Sequence, residues 1–286
     1  MKLTQEVLNK IKQIEIQTRR LLSGTQVGDY SSAQKGSGLE FDQLREYQLG
    51  DDVRFIDWNA SARTSKVLVK QYIEERNRTI ILLVDQSAST FYSSEIYLKS
   101  DVIAQVASVL ALVADYGKDH VGALLFADKV KQVIPPRSGR KHVHSLMESF
   151  FSNQPSGKTS LKNSLERLIA MQKKDAIVFI LSDFFDTGYE NLLKIAARKF
   201  DVIAIRCLDQ LETHFNVAAF LTIKDPETHQ QVTIKTSAQP LHNFLQQEQQ
   251  AVAANLRACG VELIDIQTNR PFIPDIIRFF KRRMMY

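Results

Sequence analysis

Asp85, Ser87 and Ser89 stand at alternate positions just past the apolar run 80–84, in the stretch VDQSAST. A buried strand that ends in one carboxylate and two spaced hydroxyls is either a capped turn or part of an oxygen cage for a hard cation. A cage needs more donors. Thr159 lies in SGKTSL, a loop before an expected helix, and Asp183 ends the apolar run of FILSDFF. Mg²⁺ takes six oxygens at about 2.1 Å and keeps several waters, so a small set of hydroxyls and carboxylates suits it. Mn²⁺ accepts the same donors. With only two carboxylates nearby the ion stays electrophilic, and a position left open accepts a carboxylate from a partner. Each residue also has a plainer reading. Ser87 and Ser89 suit a turn or a helix cap, Thr159 suits the cap of a helix beginning at Ser160, and Asp183 suits a cap or a basic partner. Asp186 adds negative charge beside Asp183 and is not counted as a ligand.

These residues need a frame that brings them together. Residues 1–23 have Leu3, Val7, Ile11, Ile14 and Leu21 near helical spacing, and 24–41 are rich in Gly and Ser, as in a loop. Residues 40–78 are dense in charge and end in KVLVKQYIEE, a strand pattern with Val67, Val69 and Ile73 on one face. From Arg78 strands and helices alternate. The strands are TIILLVD, HVGALLFAD with KVKQVIPP as its hairpin partner, DAIVFILSD, DVIAIRCLD and VELIDIQT. The helices cover 94–116, 140–151, 160–172, 189–199, 239–259 and the stretch PFIPDIIRFFKRR, and a hairpin over 218–235 turns at Asp225-Pro226. This is the signature of an α/β fold: a doubly wound, mostly parallel sheet flanked by helices, here with an N-terminal helix and β extension. The expected division is 1–77 and 78–286. Ligands of such sheets sit at the carboxyl ends of strands where the strand order reverses. Asp85 and Asp183 both end central strands.

Composition removes other classes. The 286 residues are 44% hydrophobic and 24% charged, ordinary for a globular protein. No apolar run reaches the length of a membrane span and the N-terminus lacks the apolar core of a signal peptide, so a cytoplasmic protein without a transmembrane segment is expected. Cys207 and Cys259 read as buried free thiols. The net charge of +5 is mild, and no recognition-helix pattern accompanies it, so no nucleic acid partner is expected. His142 and His144 point apart on a helix, and the other histidines share no metal spacing. A haloacid-dehalogenase-like phosphatase needs an Asp where Ser87 stands. No GxSxG elbow and no complete phosphate loop follow a strand.

The ordered set Asp85, Ser87, Ser89, Thr159 and Asp183 resembles the metal-ion-dependent adhesion site of von Willebrand factor A domains, over roughly residues 79–282. The resemblance implies direct or switching ligand roles for Ser87, Ser89 and Thr159. It implies an acidic pair, often acting through water, in Asp85 and Asp183. Upstream, Glu40-Phe41, Arg45, Tyr47, Gly50-Asp51-Asp52, Arg54, Ile56-Asp57-Trp58, Ala62-Arg63 and Glu74-Glu75 resemble the signature of the bacterial domain of unknown function 58 family. That likeness implies a von Willebrand A-like module associated with a MoxR-type AAA+ ATPase, an adaptor in assembly or maturation of protein complexes. Two other classes remain open. A metal-dependent hydrolase or phosphotransferase needs a general base, for which Asp186 is the nearest candidate. A scaffold with a vestigial site is favoured if the three hydroxyls fail to converge. Asp51, Asp52, Arg54, Asp57 and Arg63 are expected to form a buried or half-buried ion network around Trp58, whereas an exposed Trp58 favours a docking surface.

Overall fold

In a computed structural model of the chain, residues 14, 39–64, 66–74, 78–91, 97–152, 155–173, 175–213, 219–224, 231–236 and 238–284 are described. Two compact units divide it. In the smaller, Gln26–Asn77, strand β1 (Leu39–Glu46) pairs antiparallel with β2 (Leu68–Glu74). Between them a 3-10 turn (Val53–Phe55), capped by Asp52, precedes helix α1 (Trp58–Thr64). Leu39, Glu40 and Phe41 therefore lie in a strand, not at the end of a loop. The register slips between Phe41 and Gln43. That bulge breaks the even alternation of LEFDQLRE and hides the strand from a period-two reading. Val69 is buried, but Val67 is exposed just before β2.

The expected buried or half-buried ion network forms only as separate pairs, of which Asp51 and Asp57 are the half-buried members. Arg45 holds Asp51 through bonds of 2.7 and 2.6 Å, Arg54 holds Asp52, and Lys70 faces Asp57 at 3.4 Å. These are local pairs within one unit, and the Arg54 side chain is 84% exposed. Exposed pairs contribute about 0–1 kcal/mol each, because water screens them. Trp58 is 67% exposed among them.

The larger unit contains everything from Arg78 on, together with Ile14, which is helical and buried in its core. The rest of the expected helix over 1–23 lies outside the described residues. The strands are β3 (Thr79–Asp85), β4 (His120–Phe126), β5 (Val130–Arg137), β6 (Ile177–Ser182), β7 (Asp201–Leu208), the hairpin β8 (Ala219–Lys224) and β9 (Gln231–Thr236), and β10 (Glu262–Gln267). The Asp225-Pro226 turn between β8 and β9 lies outside the described residues. The main sheet has the order β10-β7-β6-β3-β4-β5, parallel throughout except for β5, which runs antiparallel to β4. Counted along the chain this is the doubly wound order 3-2-1-4-5-6, whose reversal lies between β3 and β6.

Helices α2 (Lys99–Tyr116), α3 (Arg140–Ser152), α4 (Leu161–Met171), α5 (Glu190–Lys199), α6 (Gln210–Thr213), α7 (Ala238–Ala258) and α8 (Ile273–Met284) complete the unit. Side chains alternate across a strand. Leu82 and Val84 of β3 face α2, α3 and α8, while Ile81 and Leu83 face α4, α5 and α7. Both faces are thus covered, which is why β3, β4 and β6 read as unbroken apolar runs, and β7 does so up to the buried Arg206. Cys207 and Cys259 are buried free thiols. His142 bonds the Val121 carbonyl at 2.8 Å, a packing role. Among the described residues no helix is long and apolar enough to cross a membrane.

Candidate metal centre

Parallel pairing of β3 with β6 sets Val84 opposite Leu181. Asp85 and the Ser182-Asp183 pair therefore emerge side by side at the reversal of strand order. One Asp85 oxygen accepts from the Ser182 hydroxyl at 2.6 Å and the other from the Ser87 amide at 2.9 Å. The chain then tightens into a 3-10 turn, Ala88–Thr90, closed by the Thr90 hydroxyl on the Ser87 carbonyl at 2.7 Å. This turn brings Ser87 Oγ within 3.0 Å of Ser89 Oγ.

Thr159 arrives from another loop, and backbone bonds explain how. Ser156 N donates to Gln86 O at 3.0 Å, Ala88 N to Gly157 O at 2.9 Å, and Ser160 N to Ala127 O at 2.9 Å. Gly157 makes the bend possible with φ of +82°, a region costly for any residue with a Cβ. Thr159 Oγ1 then lies 3.4 Å from Ser89 Oγ. Thr159 is not the cap of α4. Ser160 fills that place, accepting from Asn163 N at 3.4 Å, and Asp186 Oδ2 accepts from Leu161 N at 2.7 Å.

Asp183 is 2% exposed. Its Oδ1 accepts from Phe185 N at 3.3 Å, while its Oδ2 has no hydrogen-bond partner. It does not cap α5, whose N-cap is Tyr189. It does face a cation: Lys99 Nζ is 3.6 Å away. The next residue, Phe184, takes φ of +59°, strain that costs of order 1–3 kcal/mol at a non-glycine residue. Ser182 Oγ secures that turn by accepting from Phe184 N at 3.0 Å. One hydroxyl therefore fixes both Asp85 and the turn that aims Asp183.

Ser182 and Lys99 are the functional residues that the sequence does not announce. Lys99 opens α2 and is 1% exposed, paired with Asp183 on one side and Glu212 of α6 on the other. The only signal for it is position: a lone cation at the start of a helix whose other residues are mostly apolar. Burial pulls the Lys99 ammonium down, but Asp183 and Glu212 outweigh it and hold its pKa above the usual value. Burial, and then the charge of Asp183, push the Asp85 carboxyl up to about 7, against the hydrogen bonds from Ser182 and Ser87. Two buried carboxylates, one with an oxygen lacking a donor, beside three linked hydroxyls are a hard-oxygen donor set. Among the described residues no three or more His, Cys, Asp or Glu side chains group as metal ligands. The hydroxyl and carboxylate oxygens of this set are the donor type that Mg²⁺ or Mn²⁺ takes.

Exposed aromatics flank these loops. Phe91 follows Ser89 by two residues, Phe185 follows Asp183 by two, and Tyr97 stands just before α2. The Phe185 ring centroid lies 5.2 Å from Lys99 Nζ.

Among solved structures, BatB from Bacteroides thetaiotaomicron is 14% identical, with 73% of this chain and 98% of that one covered and a TM-score of 0.43. The SpRpn10 VWA domain is 10% identical, with 71% and 94% covered and a TM-score of 0.41. At those scores the fold assignment rests on the sheet order itself. Among sequences, an uncharacterised protein of Mycobacterium tuberculosis is 28% identical over 282 residues, covering 96% of this chain and 88% of that protein. The uncharacterised protein YeaD of Bacillus subtilis is 30% identical over 105 residues, 36% of this chain and 24% of that protein. The model of one family matches residues 43–254, from the charged unit through every residue of the site and into α7. On that match the chain belongs to the family described as protein of unknown function DUF58.

Proposed function

We propose that the protein is a divalent-cation-dependent protein–protein interaction module that works as an adaptor with a MoxR-type AAA+ ATPase in assembling or maturing protein complexes. The observation that carries this reading is the meeting of Ser87, Ser89 and Thr159 hydroxyls, at 3.0 and 3.4 Å, beside two buried carboxylates. Asp183 Oδ2 adds an oxygen without a hydrogen-bond donor. In this reading Ser87, Ser89 and Thr159 hold Mg²⁺ or Mn²⁺ directly, with Asp85 and Asp183 as the acidic pair. The ion supplies an electrophilic position for a partner's carboxylate. Lys99 Nζ, 3.6 Å from that same Asp183 Oδ2, offsets part of the acidic charge. Exposed Phe91, Tyr97 and Phe185 provide the aromatic surface that interfaces favour.

The hydrolytic alternative loses its base. Asp186 is engaged by Leu161 N and Thr187 N, both through its carboxylate. The ATPase partnership rests on the family resemblance alone, and exposed Trp58 supports a docking surface in the smaller unit.

Calorimetry with Mg²⁺ and Mn²⁺ on wild type and Asp85→Ala tests the site. Saturable binding at one ion per chain is expected for wild type and none for the variant, with both circular dichroism spectra alike. Capture of the ATPase in Mg²⁺ but not in EDTA tests the partnership. Silence of wild type in calorimetry, alone and with the ATPase added, sinks the metal reading.

A further inference from the structure

Beside the candidate metal centre the larger unit holds a cavity of about 150 Å³ whose lining includes Asp85 and Gln86. Gln86 N donates to Phe126 O at 2.7 Å, so the alternation of β3 continues one residue past the strand. Gln86 therefore shares the face of Val84, toward α2 and α3. The rest of the lining is mainly apolar: Phe91 and Leu98 from the loop before α2, and Phe150 and Phe151 from the end of α3. Asp85 and, from the start of α2, Ser100 and Asp101 add polar lining, and so does the Gln86 side chain. It is 3% exposed, and neither its Oε1 nor its Nε2 has a hydrogen-bond partner. A buried carboxamide left unpaired is costly, and native proteins leave few such groups.

Three features select the occupant. About 150 Å³ in an apolar wall accommodates a group of six carbons, the size of a benzene ring or a leucine side chain. The Gln86 carboxamide, closed off from solvent as folded, carries a free donor and a free acceptor, which match the one of each in a peptide group once the side chain turns into the cavity. Asp85 lines both the cavity and the cation site, so a chain whose acidic residue reached the ion would have its neighbouring residue here. We infer that this cavity seats one leucine- or phenylalanine-like side chain of a partner peptide, the neighbour of the carboxylate that reaches the ion, while Gln86 pairs with that residue's peptide group. The inference deepens the metal-dependent reading above and rests on it for the placement of the carboxylate, but not for the cavity itself.

The test uses the full chain and two kinds of probe. In Mg²⁺, capped peptides Gly-Gly-Asp-X-Gly-Gly with X as Gly, Leu, Phe or Lys are titrated by calorimetry. Burying a leucine side chain is worth a factor of ten or more in affinity, so Leu and Phe peptides are expected to bind at least tenfold tighter than the Gly peptide. Phe91→Ala, at an exposed position that the core does not need, is expected to cut that ratio to about threefold or less. Separately, N-acetyl-leucine N-methylamide, which has no carboxylate, is titrated in EDTA against ¹⁵N-labelled protein. Saturable shifts of the Gln86 side-chain amide are expected, absent with the glycine analogue and absent in Gln86→Leu at its backbone neighbours. Equal affinity for Gly and Leu peptides overturns the cavity assignment whatever the ion does. So does a preference for Lys, which would make the occupant a cation, and so does an unmoved Gln86 amide. Peptide affinities that are the same in EDTA as in Mg²⁺, with the leucine preference kept, retain the cavity and overturn the metal reading instead.

Discussion

Asp85 is a buried acid beside a second buried acid, and folding it without a cation favours its protonated form. Its pKa in the folded chain is about 7, against about 4 for an unfolded Asp. A group raised in this way contributes its full stability below pH ~4 and loses it as pH rises through ~7. Metal-free protein should therefore lose roughly 2–4 kcal/mol from this residue between those limits. Asp85→Asn, which cannot ionise, should be free of that loss. Urea denaturation in EDTA at several pH values, read as the difference between wild type and Asp85→Asn, cancels the other acids, some of which work with the opposite sign. Asp51, for example, is held below its usual pKa by Arg45. A flat difference curve would mean that Asp85 is already ionised in the metal-free protein. Added Mg²⁺ should reverse the sign, because an ion binds the carboxylate and not the acid. At this scale the sequence makes Asp85, Ser87, Ser89, Thr159 and Asp183 legible, since alternate hydroxyls after a buried strand are a local pattern. Ser182 and Lys99 are not legible. A serine inside an apolar strand and a lysine at the start of a helix acquire their roles only when β3, β6 and α2 pack together.

The elements supply the precision that the residues lack. Strands β3, β4 and β6 are readable because burial on both faces leaves continuous apolar runs with polar groups only at the ends, and β7 is readable from its first apolar stretch although Arg206 interrupts it. β1 is not readable, because its bulge shifts the phase midway, and α1 and α6 are too short to show a period. The pairing of the Ser87 turn with the Gly157 loop is likewise invisible in sequence, being made of backbone bonds between segments about seventy positions apart. It is nevertheless the device that brings Thr159 to Ser89, and Gly157 is its pivot. A Cβ at Gly157 would meet Asp128 Oδ1 at 3.1 Å, in a backbone region that already disfavours it. Gly157→Ala should cost about 1–2 kcal/mol of stability and also weaken Mg²⁺ binding, by turning the Thr159 hydroxyl away. Gly139→Ala is the matched control. Its φ is +107° with nothing within 4 Å of the added carbon. It follows β5, whose antiparallel course ends at the far edge from the site, where Arg137 pairs with Val121. The control should lose comparable stability and keep its Mg²⁺ affinity. Loss of affinity in both variants would mean that the titration reports global stability and not the loop.

At the scale of the whole molecule, the larger unit carries the oxygen cage and the smaller unit carries a display of apolar side chains. Leu44, Leu49, Val53, Phe55, Trp58 and Val67 are all exposed, within a unit whose ion pairs are local and at most half-buried. Apolar groups rimmed by charge are a mark of interaction surfaces, and Trp is the residue most often found to dominate them. A buried brace would instead have hidden Trp58 and desolvated its ion pairs. In the proposed reading the larger unit grips a partner's carboxylate through an ion, and the smaller unit adds a docking surface for the ATPase. Trp58→Ala separates those tasks. With 67% of the side chain already in water, the substitution should change stability by less than about 0.5 kcal/mol and leave the Mg²⁺ titration as in wild type. Capture of the ATPase should fall at least tenfold, the loss typical of a hot-spot Trp. Asp85→Ala should lose the ion and, with it, the Mg²⁺-dependent capture of the ATPase, while Trp58→Ala loses capture with the ion still bound. Equal capture by wild type and Trp58→Ala would remove the smaller unit from the ATPase contact and return that task to the aromatics beside the cation site, Phe91, Tyr97 and Phe185.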